Sequence, residues 1–474
     1  MRNPEYGCLL GELPADRRWA PFLGAIFVTF IIMLTVTSTS AKENSYKPIM
    51  TQALGQSAIQ PFAYIGSQAE WISDVQLDGQ QGNVNAHVAV DLIARLGLRF
   101  HTMTALDPAV LALQVEGDVP TGTLTPPLPF PNQDMPHSTP LGFRLRRAGL
   151  KVGYRDTIHV SAGVSTPSWG LGLVYNDGET RWQPGQLHLA TPRDGDRALR
   201  ALVGTGQLTP AKLRVGLGWE MPLAPGEFVD IQSIHNILLS TTLEPFDIGE
   251  IGLLMTMRLG SERERLGLGY WLIDAFAKLR FTFGAHHLAV AMEMAIEGGD
   301  ESDPLTGDLR IAGILRTQYG GQNWGVGIDT IFSSHGADDK PGFRIDRRLP
   351  FGWLMFPYVG RIHQSNLAMA TQVDNGSMGA IENTLGGQLK GRWRPMHNLE
   401  VIGGVIFAMR PTGIGALEDW STLGTEFNLS IRWKGMLSST ECILGLDGGL
   451  VYPATFLTTN EPIYGSRFIL EYRL

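Results

Sequence analysis

Between His287 and Gly298 the chain reads LAVAMEMAIE, with Leu288, Val290, Met292, Met294 and Ile296 on every second position and alanine or glutamate between them. A helix would spread these apolar residues round its circumference. A strand places them on one face and turns Glu293 and Glu297 to the other. The zigzag recurs. Leu213, Val215, Leu217 and Trp219 interleave with Lys212, Arg214, Gly216, Gly218 and Glu220, and Leu389 and Trp393 with Gln388, Lys390, Arg392 and Arg394. Phe427, Leu429, Ile431 and Trp433 alternate with Glu426, Asn428, Ser430, Arg432 and Lys434, and Phe468, Leu470, Tyr472 and Leu474 continue the pattern to the last residue.

Most of these runs exceed the roughly 5 or 6 residues of ordinary globular strands and approach the ~9 to 11 that carry a tilted strand across a bilayer. Within lipid every backbone polar group must be paired internally, so strands survive there only in a closed barrel, apolar side chains outward and polar ones toward the lumen. A soluble periplasmic sandwich, propeller or solenoid also alternates, but run length favours the membrane. The expectation is therefore an all-β fold: a transmembrane antiparallel up-and-down β-barrel of about 18 strands, with 16 as the nearest competitor.

The runs are 62–72, 84–94, 98–106, 142–153, 157–174, 197–205, 211–220, 228–241, 249–259, 266–283, 286–297, 308–318, 324–334, 384–394, 398–409, 423–434, 441–452 and 463–474, with 84–98 also readable as an amphipathic helix. Outer-membrane barrels have short periplasmic turns and long outer loops. That rule fits PMHN, YGGQN and GAH as turns and makes 335–383 one long outer loop, because FGWLMFPYVG lacks alternation and contains Pro357. Trp353, Leu354, Phe356 and Tyr358 would then pack onto the barrel mouth or fold into it.

Composition agrees. Charged residues are 18%, against roughly 25% in average globular chains, and there are 57 glycines in 474 residues, above the usual share of about 7%. A net charge of -8 without a basic patch argues against nucleic acid. Arg17 and Arg18, an apolar run from Trp19 to Val36, and TSTSA ending at Ala41 have the order of a cleaved secretory signal, although an uncleaved anchor has similar length. The domain reading is 1–41 signal peptide, 42–61 periplasmic segment and 62–474 barrel. Cys442 would be the one cysteine of the mature chain, so no structural disulfide is expected.

The stretch FRLRRAGLKVGYRDTIHVSAGVSTPSWGLGLVYNDGE, 143–179, resembles a strand hairpin of porin-like outer-membrane barrels of Gram-negative bacteria. It is similar in particular to an uncharacterised myxobacterial-type family distantly related to alginate-export channels, as is the long loop before GGQLKGRWRPMHNLEV. Such barrels usually end in Phe or Trp, whereas this chain ends in Leu474. The resemblance implies a passive channel in the bacterial outer membrane, with membrane lipid and small solutes as partners, no cofactor and no catalysis. Trimeric porins and monomeric channels share this alternation, so a homo-oligomer stays open.

Strand parity makes Arg144, Arg146, Lys212, Arg214, Lys278, Arg280, Arg310, Lys390, Arg392, Arg394, Arg432 and Lys434 candidate pore-lining cations, against Glu220, Glu293, Glu297 and Glu426. Basic rings of this kind would favour anionic or polyhydroxylated solutes. The competing reading is that the charges satisfy one another across a narrow lumen. The alternative function is a barrel plugged by loop 335–383, acting as a structural or partner-binding scaffold. The acidic stretch 297–308, His286 with His287, and Ser333, Ser334 and His335 lack metal or catalytic spacing, and no G-x-S-x-G occurs.

Overall fold

The computed structural model describes residues 57–473 apart from 74, 77–82, 85–86, 104–108, 124–141, 155–156, 178–186, 188–195, 224–233, 245–247, 261–270, 300–308, 335–342, 346–348, 356–380, 412–419, 438–439 and 454–461. The proposed leader lies outside the described residues.

Alternation along the chain builds one closed antiparallel sheet of 18 strands. They are β1 (Ser57–Ile72), β4 (His87–Met103), β5 (Ala109–Thr123), β6 (Gly142–Tyr154), β7 (Ile158–Ser165), β8 (Ala198–Thr205), β9 (Arg214–Pro222), β10 (Ile234–Leu243) and β11 (Gly249–Gly260). β12 (Trp271–Phe283), β13 (His286–Gly298), β14 (Arg310–Gly320), β15 (Trp324–Ser333), β16 (Thr384–Met396), β17 (Leu399–Pro411), β18 (Trp420–Leu437), β19 (Thr440–Pro453) and β20 (Ile463–Arg473) complete it. Each barrel strand pairs with its neighbours in the chain. The ring closes where β1 pairs with β20, from Tyr64 opposite Arg473 to Ile72 opposite Gly465. A small ribbon of β2 (Val75–Gln76) and β3 (Asn83–Val84) stands apart in the first long connection.

The parity of the opening run holds. Met292 and Met294 are 49% and 42% exposed on the outer face, while Glu293 is 1% exposed inside. Leu96, Leu98, Val115, Met257, Ile328, Leu389 and Leu429 join the methionines in an outer apolar belt. The interior of the ring buries Arg95, Asp118, Asp274, Asp329, Glu400, Asp447 and Arg467. Apolar out and polar in is the arrangement a strand needs between lipid and lumen.

Short turns gather at one end. β12 and β13 are joined by Gly284 and Ala285, where Gly284 has φ +61 and no neighbouring atom within 4 Å of a would-be Cβ; 321–323 and 397–398 join the next two hairpins. The N-terminal end of β1 and the C-terminal end of β20 lie at that same end.

The total of eighteen agrees with expectation through two opposite corrections. The expected strands 84–94 and 98–106 are not two strands, nor is 84–98 a helix: 87–94 and 98–103 belong to the single strand β4, Val84 lies in β3, and 85–86 and 104–106 lie outside the described residues. The strand Ala109–Thr123 was missing from the expected set. Its ladders shift register at Glu116/Gly117, at Asp118/Thr121 and opposite Ile93/Arg95. Such bulges interrupt the period-2 pattern that marks a strand in sequence. The third correction concerns 157–174: β7 stops at Ser165, and the chain beyond Pro167 turns inward through Gly170 (φ +55) and Gly172 (φ +90).

Candidate functional site

Among the described residues, two connections from the long-loop end enter the lumen, and each is seated on a buried carboxylate of the wall. In the first, residues 166–177, Trp169 and Tyr175 pair through their backbones at 3.2 Å and Gly172 N–H donates to the Trp169 carbonyl at 3.0 Å. The N–H groups of Leu171 and Leu173 both donate to Glu293, the latter at 3.2 Å. Gly170 permits this approach, since a Cβ there would lie 2.5 Å from the Glu293 carboxyl carbon. Trp169 stands edge-on to Phe276 of β12 at 5.1 Å, and the Tyr175 hydroxyl donates to Glu220 at 2.7 Å.

The second is the long loop before β16. Glu426 of β18 accepts the N–H groups of Trp353 (2.7 Å), Leu354 (3.1 Å) and Met355 (2.6 Å), together with the Asn428 side-chain amide (2.7 Å). The Trp353 indole N–H donates to Glu70 of β1 at 2.7 Å, and the Arg467 guanidinium lies 4.9 Å from its ring centre. Gly449 and Gly465 admit the loop: a Cβ on either would come within 2.7 Å of the Leu354 side chain. Convergent N–H donors on one carboxylate are charge-assisted and stronger than neutral pairs. Of the expected mouth residues, Trp353 and Leu354 are thus inside the lumen, whereas Phe356 and Tyr358 lie outside the described residues.

Between the two inserted loops lies an apolar cluster of Leu173, Phe343, Ile345, Leu349, Phe351, Met355 and Ile381, backed by Ile314, Ile331 and Ile406 of the wall. Burial of such side chains drives the loops inward at about 25 cal/mol per Å². The lumen is narrowed toward the long-loop end by a small hydrophobic core.

The remaining wall is a lattice of ion pairs. Arg146 pairs with Glu116 at 3.0 Å and Arg95 with Asp118 at 2.7 Å. Lys390 and Arg316 share Asp329 at 2.6 and 3.1 Å, Arg392 and Arg394 share Glu400 at 3.4 and 3.8 Å, and Arg432 and Arg467 share Asp447. Arg310 pairs with Glu297 at 3.1 Å, Arg200 with Glu220 at 2.7 Å, and Lys434 with Glu441 at 2.7 Å. Arg392 also donates to the carbonyls of Gly321 and Trp324, and Arg394 to that of His397 at 3.0 Å. Arg144 is placed by register alone, opposite Asp118. Buried charges survive where partners and hydrogen bonds compensate desolvation.

The pore-lining candidates therefore divide in two. Arg146, Lys390, Arg392 and Arg432 face inward but are buried in this lattice, as is Glu297, while Glu293 is buried beneath the first inserted loop. Lys212, Arg214, Lys278 and Arg280 are partly or fully exposed at the short-turn end. Lys212 sits in the turn before β9 with φ +52, and it and Arg214 each reach Glu244 at 2.9 Å. The Lys212 hydrogen bond holds the Glu244 carboxyl below the usual carboxylate range.

Asp274, Asp329, Glu400 and Asp447 were absent from the expected lumen set. Strict parity carried through every run would have found them, as with Asp329 between outward Ile328 and Thr330. Of the residues weighed for chemistry, His286 packs against Tyr319 and Trp324 at 5.8 and 5.7 Å, Ser333 donates to the Phe343 carbonyl, and Ser334 accepts the Ile311 N–H at 2.8 Å.

No family model and no curated protein matches the chain. Solved structures do. It is similar to Pseudomonas aeruginosa OccK5 (OpdH), with TM-score 0.54 and 12% identity over 87% of this chain and 98% of that one. It is similar to a BenF-like porin from Pseudomonas fluorescens Pf-5, with TM-score 0.55 and 11% identity over 88% and 98%. For Pseudomonas aeruginosa OprD the TM-score is 0.53 and the identity 10%, over 92% and 98%. At these identities the likeness is one of fold: the chain shares with these proteins the closed antiparallel barrel.

Proposed function

We propose that this protein is a porin-like channel of the bacterial outer membrane for passive diffusion of small solutes. The observation that carries the reading is a closed 18-strand wall, apolar outside and ion-paired inside, whose bore is narrowed by two inserted loops. A wall of sixteen or more strands leaves an aqueous channel unless something fills it, and the loops set the size limit instead of the wall. The likeness to a BenF-like porin supports the same reading. The finer kinship, with the myxobacterial-type family and alginate-export channels, rests on the motif in 143–179.

The exposed cations at the short-turn end support a preference for anionic or polyhydroxylated solutes, and the lattice elsewhere supports near-neutral walls. This reading requires no catalytic group, and the short-turn end faces the periplasm. The second reading, a plugged scaffold, is favoured by the apolar cluster inside the bore.

Liposome swelling decides between them. Vesicles carrying the folded protein should swell in small sugars and carboxylates, with a sharp fall as solute size rises. Absence of swelling with every solute, in vesicles shown to contain folded barrel, contradicts the channel.

A further inference from the structure

Below the inserted loops, at the short-turn end, the lumen holds a cavity of about 610 Å³ whose lining includes Lys278, Arg280, Arg316 and Gln318. That volume lies within the roughly 300 to 1,000 Å³ of small-molecule sites. Register explains its shape. Lys278 of β12 stands opposite Ala291 of β13, which stands opposite Arg316 of β14; one step nearer the turns, Arg280 is opposite Ala289 and Ala289 opposite Gln318. β13 thus contributes only methyl groups between two strands that carry donors. The result is a trough about 10 Å wide between flanking strands, at roughly 4.8 Å per strand spacing.

The charges on this trough are poorly neutralised. Arg280 has no acidic partner among the described residues, and Lys278 lies 3.8 Å from Glu250, a second carboxylate of the cavity lining, with both side chains more than a third exposed, and 4.6 Å from the Phe276 ring centre. Arg316 shares its carboxylate, Asp329, with the buried Lys390. Glu244 also lines the cavity, but Lys212 and Arg214 both engage it. At the level of the inserted loops the carboxylates Glu293 and Glu426 accept backbone N–H groups. Among the described residues, Lys278 and Arg280 at the short-turn end are thus lumen-facing cations with weak acidic pairing or none.

We infer that this trough is a binding station for a small multivalent oxyanion, carboxylate or phosphate, held by Lys278, Arg280 and Arg316 with Gln318 as a neutral donor. The station rests on the barrel geometry, and its sidedness rests on the channel reading above. An anion arriving from the short-turn end meets the station before the constriction, whereas one from the opposite end meets the seated loops first. Block by such an anion is one-sided.

The test uses inorganic pyrophosphate as probe, at low ionic strength because exposed charges are screened by salt. Calorimetric titration of the detergent-folded full barrel should show saturable binding, about tenfold weaker in Lys278→Gln/Arg280→Gln, as expected for losing a charge-assisted contact. In a planar bilayer, pyrophosphate added at the short-turn side should block at lower concentration than from the other side. Binding absent, or unchanged in the double variant, overturns the station; equal block from both sides overturns its sidedness. Binding without any conductance leaves the station standing and removes the channel reading. Should the double variant fail to fold, Gln318→Leu reads the same trough through a neutral donor, and unchanged binding there counts against it.

Discussion

Replacing Glu426 by alanine tests the loop seat. The carboxylate accepts three consecutive backbone N–H groups, from Trp353, Leu354 and Met355. Removing it takes the acceptor from three buried backbone donors, at about 1 to 3 kcal/mol each, and from the Asn428 amide, which belongs to the wall and does not bear on loop release. The loop can move outward and recover water, so the lower end applies. A shift of about 3 to 4 kcal/mol changes the seated-to-released ratio by roughly two to three powers of ten. Trp353 keeps its indole bond to Glu70 and its contacts over Gly449 and Gly465, so release is a local event. The barrel ladders on either side of β18 are backbone bonds and stay intact. Hydrogen exchange should show the amides of residues 353–355 losing protection in Glu426→Ala, and single-channel records should become larger or noisier while heat-resistant gel mobility is unchanged. Equal protection and an unaltered trace would refute the seat.

Other expectations follow from particular contacts. Asp447→Ala removes the buried carboxylate that Arg432 and Arg467 share; a loss of about 3 to 5 kcal/mol in urea unfolding is expected, and an unchanged midpoint would mean that other groups or water compensate both guanidinium groups. Met292→Arg places a charge on the outer belt at a cost of ~2 to 4 kcal/mol near mid-membrane; insertion into vesicles should fall, and normal insertion would argue that this face does not meet lipid. Gly170→Ala combines a left-handed backbone with a Cβ 2.5 Å from the Glu293 carboxyl, costing at least ~1 to 2 kcal/mol; Trp169 emission should shift to the red as the loop leaves Phe276, and an unshifted spectrum would contradict the packing.

The barrel was legible because lipid on one side and a charged wall on the other impose a strict two-residue period, and β13 shows it without interruption. β5 was hidden where Gly117 and Pro120 accompany register shifts, and with it went Glu116 and Asp118, the partners of Arg146 and Arg95. Without those acids the lumen looked more basic than it is. The inserted loops were harder still. Glu293 meets Leu173 across 120 residues and Glu426 meets Trp353 across 73, so no local pattern announces either seat. Trp353 could be flagged as a mouth residue from its apolar surroundings and Pro357, but its depth depends on Gly449 and Gly465, glycines that in sequence resemble any others in a glycine-rich strand.

The most direct test of the account is single-channel conductance of residues 42–474, refolded and inserted in a planar bilayer under a salt gradient. The account predicts steady openings, smaller than an unobstructed 18-strand bore would pass, which grow when 340–380 is deleted. Stable insertion with no current, before and after that deletion, would contradict it.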